Sequence, residues 1–227
     1  MRRTLTALAV LASTAALTVG GAHAAAPKIS CKIMSDSAGD VDVQTPGTAA
    51  PATDSDDLLW ADMASDGKSL TVVLHMKGLA NPDPEWVFGR AYSVNFGLKG
   101  SSADDIFLAA RTFPQGVQYH LGHRETLPPL GSSSNIYDVA IKGSIDTAKG
   151  EIRMTAPVSE IAKLGKITKG TLIKGASATV ERIAGQGVVG SQTVNGNRIP
   201  LGGFRYQSDI SDSSKPYVVG AKSCTKV

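Results

Sequence analysis

The chain has 227 residues, 42% of them hydrophobic, and a formal charge of +3, enough to bury one sizeable core and too evenly charged to form the clustered basic face that nucleic-acid binding requires. Beyond Val19 no apolar run approaches the roughly twenty residues needed to cross a bilayer, so no membrane span is expected. No internal repeat, linker or break in composition divides the chain.

Residues 1–24 read as a signal peptide and residues 25–227 as a single domain. Arg2 and Arg3 make a positive start, Leu5 to Val19 an apolar core, and Ala22-His23-Ala24 a cleavage site. Removing the two arginines lowers the charge from +3 to about +1. The product is expected to be secreted. In an oxidising compartment Cys31 and Cys224, near opposite ends of the mature chain, are expected to bond. Closing so long a loop removes about 5 kcal/mol of entropy from the unfolded chain. Two separate buried thiols are the alternative, and the bridge further predicts that the first and last strands are neighbours.

A first strand is expected near Lys28 to Met34, followed by an acidic loop to Asp56. The next stretch carries the strongest local signal. Strand-forming runs Asp57 to Ala64 and Ser69 to Met76 flank Asp66-Gly67, and the Gly tolerates the positive φ of a tight turn. Leu70, Val72, Leu74 and Met76 alternate with Thr71 and His75, which predicts one buried face. Pro82 and Pro84 then break any ladder and leave Trp86 on or just after a surface loop. Tyr92, Val94, Phe96 and Leu98 alternate as a half-buried strand. Hairpins follow over 106–113 with 116–123 and over 136–145 with 151–156. One short helix covers 158–164, with Gly165 as a left-handed cap. Strands at 171–183 and 216–220 complete an all-β fold, a single antiparallel β-sandwich with a partly closed barrel as the competitor.

Chemistry-bearing residues are sparse. Asp36, Asp40 and Asp42, with Asp54, Asp56 and Asp57, offer the hard oxygen ligands that calcium prefers, or else serve as solvated turn formers. His120 and His123 invite zinc, with His75 as a third ligand, but on a strand a separation of three puts them on opposite faces. Gly185 to Gly190 meets a dinucleotide-loop spacing without the strand-to-helix crossover such a loop needs. No nucleophile elbow or metalloprotease motif occurs, so no catalytic residue is assigned. Trp86, with Glu85 and Arg90 bonding hydroxyls, is the candidate contact for a sugar ring.

The acidic stretch Asp36-Ser37-Ala38-Gly39-Asp40, then Asp57-Leu58-Leu59-Trp60-Ala61-Asp62 and Asp66-Gly67-Lys68-Ser69-Leu70-Thr71-Val72, resembles the start of exported actinobacterial β-sandwich domains of the DOMON and family 9 carbohydrate-binding-module group. The resemblance covers mainly residues 31–100. It implies a jelly-roll-like sandwich, a structural calcium near Asp36 and Asp40, and binding of sugar or, in some relatives, haem, for which Met63, Met76 and His75 are the available ligands. The expectation is thus a secreted, non-catalytic binding module for a polysaccharide or a cell-surface component. A structural or protein-interaction accessory domain is the alternative, a hydrolase a distant third, and the oligomeric state is left open.

Overall fold

The computed structural model describes residues 31–41, 52–79, 87–99, 105–127, 132–184, 191–194, 197–200, 205–211 and 213–221. In chain order the elements are β1 (Cys31–Ser35), β2 (Leu58–Ser65), β3 (Ser69–Met76), β4 (Val87–Gly97), β5 (Asp105–Phe113), β6 (Gly116–Leu127), β7 (Ser132–Ala140), β8 (Lys142–Asp146), β9 (Glu151–Pro157), α1 (Val158–Leu164), β10 (Leu172–Ala184), β11 (Ser191–Val194), β12 (Asn197–Pro200), β13 (Arg205–Ile210), β14 (Ser213–Ser214) and β15 (Tyr217–Val218). They form two large antiparallel sheets and a separate two-stranded pair. The first sheet runs β14-β1-β2-β3-β9-β8; the second runs β13-β10-β4-β5-β6-β7, with β15 also on β10; β11 and β12 pair only with each other. This is the expected all-β sandwich with one short helix.

The β2–β3 hairpin forms as its sequence predicts. Gly67 takes φ +83° in the turn, the Asp66 carboxylate accepts the N–H groups of Lys68 and Ser69 at 2.8 and 2.7 Å, and Ser65 Oγ accepts that of Gly67 at 3.0 Å. Those donors hold the Asp66 carboxyl below its usual range. Because β3 lies between β2 and β9, its outward Thr71 and Val73 are buried along with inward Leu70, Val72, Leu74 and Met76. The inward set joins Leu58, Tyr92, Val94, Phe96, Leu108, Ile152 and Val180 in one core. Each large apolar side chain buried there contributes about 1.5–3 kcal/mol.

Three local expectations are corrected. The run 136–145 is not one strand: β7 belongs to the second sheet and β8 to the first, and the chain crosses at Ile141, whose N–H bonds Tyr119 O at 3.0 Å. Gly143 permits the crossing, since a Cβ there would stand 2.2 Å from the Tyr119 ring. Gly165 is extended at φ −170°, and the last turn of α1 closes through its N–H on Ile161 O. Strand segments at 191–194, 197–200 and 205–210, absent from the sequence reading, are present as β11, β12 and β13.

The first described strand is joined not by the last one but by the strand before it. The C-terminal β14 pairs with β1, and Lys215 N–H donates to Ile33 O at 2.6 Å, while β15 pairs with β10. Cys31 is buried; Cys224 lies outside the described residues. No helix among the described residues is long and apolar enough to cross a membrane.

Candidate cation-binding corner

Where β1 ends, Asp36 N–H donates to Leu59 O at 3.1 Å, holding the acidic loop against β2. Gly39 turns the loop at φ +85° and gives its N–H to Asp57 Oδ2 at 2.9 Å, which sets Asp40 beside the start of β2. The third acidic group comes from the other sheet. On β13 the pairing with β10 slips between Val180 and Glu181, and a slip of this kind re-aims side chains. Asp209 reaches across to accept the Leu58 N–H at 2.7 Å and the Ile210 N–H at 2.8 Å.

One oxygen from each of Asp36, Asp40 and Asp209 then lies within 4.8 Å of the others. Two oxygens bound to opposite sides of one calcium ion stand about 5 Å apart, since each Ca–O distance is 2.3–2.6 Å. The donor set is hard, anionic and of the right span. Asp36 is half-buried, Asp40 exposed and Asp209 buried, so the cluster opens outward on the Asp40 side. Burial pushes the Asp209 carboxyl above its usual range and the Asp40 charge adds to this, against the Leu58 N–H, a hydrogen bond with Asp36 and the Ile210 N–H. Among the described residues no lysine or arginine pairs with Asp40 or Asp209. Asp57, itself buried, also has one carboxylate oxygen enclosed without a hydrogen bond beside this loop.

The other sequence candidates fall elsewhere. Asp42, Glu85 and Trp86 lie outside the described residues, as does the glycine run 185–190. Arg90, expected at a sugar contact, is corrected to an interior position: it is 2% exposed and its Nε donates to Asp56 Oδ1 at 3.0 Å. Arg182, its cross-strand partner on β10, also holds Asp56, through Nε to Oδ1 at 2.9 Å and through Nη2 to Oδ2. Thr53 completes the set, donating its N–H and hydroxyl to Asp56 Oδ2 at 2.9 and 2.8 Å. Burial alone would raise the Asp56 carboxyl, but Arg182 and Arg90 outweigh it and hold the group far below its usual range. Asp56 is therefore an interior tie and Asp54 a partner of Lys77, at 3.4 Å.

The histidines do not converge. His75, on the outer face of the first sheet, stacks on Trp60 with ring centroids 4.3 Å apart and meets Asp62 at 3.0 Å. Met63 and Met76 are in the core on the opposite side of that sheet, which leaves them no common axis with His75. His120 and His123 lie on the second sheet. The one metal-competent group among the described residues is the acidic corner, and it contains no histidine.

Asp209 is the residue that sequence reasoning missed. It stands alone in a strand far along the chain, with no spacing to Asp36 or Asp40 that a local motif could register. Fold and corner together define an antiparallel β-sandwich with three carboxylates gathered where its two sheets approach. No protein-family model matches the chain, and no curated protein or solved structure matches it significantly.

Proposed function

We propose that this chain is an exported, non-catalytic binding module for a polysaccharide or another cell-surface component, and that its acidic corner holds a divalent cation, calcium by its oxygen ligands. The observation that carries the cation is the convergence of Asp36, Asp40 and Asp209 to within 4.8 Å. Three carboxylates so close repel one another unless a positive charge joins them. A calcium ion would tie the loop that follows β1 to β13. The leader at residues 1–24 and the resemblance of residues 31–100 support the exported binding role, with Trp86 and Glu85 as its contacts. The pairing of Cys31 with Cys224 belongs to the same reading, supported by the adjacency of β1 and β14.

A shared proton is the competing way to relieve the corner, favoured by the hydrogen bond between Asp36 and Asp209. The two are separated by one experiment. The purified mature protein is mixed with insoluble cellulose, chitin and peptidoglycan, in calcium and again in excess chelator, while its thermal midpoint is followed under both conditions. Selective depletion that disappears in Trp86→Ala supports the module, and a midpoint raised by calcium at neutral pH supports the ion. Depletion from none of the matrices sinks the glycan reading, and a midpoint blind to calcium leaves the corner to a proton. Intact mass before and after reduction, with peptide mapping, tests the cysteine pairing.

A further inference from the structure

His123 lies on β6 against β7, which ends the second sheet among the described strands. The pairing of these two strands slips between Leu121 and Gly122: Leu121 faces Val139 and Gly122 faces Tyr137, so Asp138 is an extra residue without a partner on β6. A bulge of this kind re-aims the extra side chain. Asp138 Oδ2 comes to 2.7 Å from His123 Nδ1, while Glu125 Oε1 stands 3.0 Å from Nε2. Both partners are carboxylates, which accept but do not donate. A neutral imidazole has one N–H and can satisfy one of them; the imidazolium has two and satisfies both.

From these contacts we infer that His123 is a pH-operated clasp: as the cation it fastens the bulged edge strand β7 to β6, and on losing its proton it lets that edge go. The groups facing it are known from each neighbouring strand. Ile106 on β5 and Ile136 on β7 stand opposite and are apolar. Asp138 comes from β7 and Glu125 from its own strand. Arg124, next to it, turns to Asp105 on β5 at 3.7 Å and to Asn135 on β7 at 3.4 Å. Burial alone would lower His123, but Asp138 and Glu125 outweigh it and raise the group above its usual 6.5. A raised folded value means that the clasp is fully closed below the unfolded value and opens as pH rises through the folded one. His120, on the opposite face of β6, behaves in the contrary sense: burial and then the Arg111 charge press it down to about 4, so the two titrations do not overlap.

The opening would expose the N–H and C=O groups of β6 along an unprotected edge. The test follows the His123 ring nitrogens of the unaltered mature protein by NMR from pH 5 to 9, together with hydrogen exchange of the β7 amides, corrected for the intrinsic pH dependence of exchange. Both nitrogens are expected to carry protons at pH 6.5, with a midpoint above that value. Above the midpoint β7 exchange should accelerate, by about tenfold in its opening constant for each unit by which the midpoint exceeds the ordinary one. Asp138→Asn should lower the midpoint and flatten the pH response of β7. A single neutral tautomer at pH 6.5, or β7 protection that does not change across the His123 titration, overturns the inference.

Discussion

Asp56 and Asp57 are neighbours in sequence and both are buried, yet they belong to opposite electrostatic settings. Asp56 receives two guanidinium groups and two donors from Thr53, so its charge is neutralised within the fold. Asp57 turns the other way, accepts the Gly39 N–H and the Lys77 ammonium at Oδ2, and borders a corner where Asp36, Asp40 and Asp209 face one another. A carboxylate that meets arginines inside a sandwich ties strands together. Carboxylates that meet each other must take a positive charge from solution, as a proton or as a metal ion.

The sharpest way to break this contrast is Asp56→Ala. It leaves Arg90 and Arg182 without the carboxylate they share, and losing one partner of a buried ionic group typically costs about 3–5 kcal/mol; urea unfolding would measure it. Replacing Asp56, Arg90 and Arg182 together by apolar residues of similar volume should recover most of that loss, because no buried charge is then stranded. In acid the same tie weakens with a definite sign. The folded Asp56 carboxyl lies below its ordinary value of 3.8, so its contribution is complete above that value and disappears as pH falls toward the folded one. Unfolding followed between pH 5 and 2 should show the decline, and Asp56→Asn should flatten it.

The corner should respond to calcium instead. At one hundred times the dissociation constant, an ion bound only by the folded state adds about 2.7 kcal/mol of stability. Asp40→Asn should abolish that gain, yet change the calcium-free protein by no more than about 0.5 kcal/mol, because Asp40 is exposed. Calorimetry with and without chelator would show both effects. A change smaller than the loss of the calcium gain serves as the background: Gly67→Ala, in a turn that touches neither group, should cost about 1 kcal/mol for its positive φ.

The sandwich was legible because its strongest signals are local. Asp66-Gly67 sets the β2–β3 turn, and alternation in 70–76 and 92–98 marks inward faces without reference to the rest of the chain. Asp36 and Asp40 were legible as oxygen donors by residue type. Asp209 was not, since its meeting with them depends on β13 pairing with β10 and on a slip in that pairing. Arg90 was misread because Pro82 and Pro84 suggested a surface loop; extending the alternation of Phe96, Val94 and Tyr92 by one more step places it inward. An arginine on that parity requires a buried acceptor, and Arg182, in step with Val180 and Ala178, repeats the requirement. The division of 136–145 between sheets was hidden because Ala140-Ile141-Lys142 contains no breaker.

The pairing of β14 with β1 and of β13 and β15 with β10 also governs when the molecule can finish folding. The first strand has no partner on its outer side until residues 213–214 arrive, and β10 lacks two of its neighbours until residues 205–218 do. The β2–β3 and β5–β6 hairpins can close early, but the contacts that complete each sheet join residues far apart in the chain, which makes the last steps slow. A chain threaded through a membrane from its N-terminus would thus emerge with its sheets unfinished and complete them only on the far side.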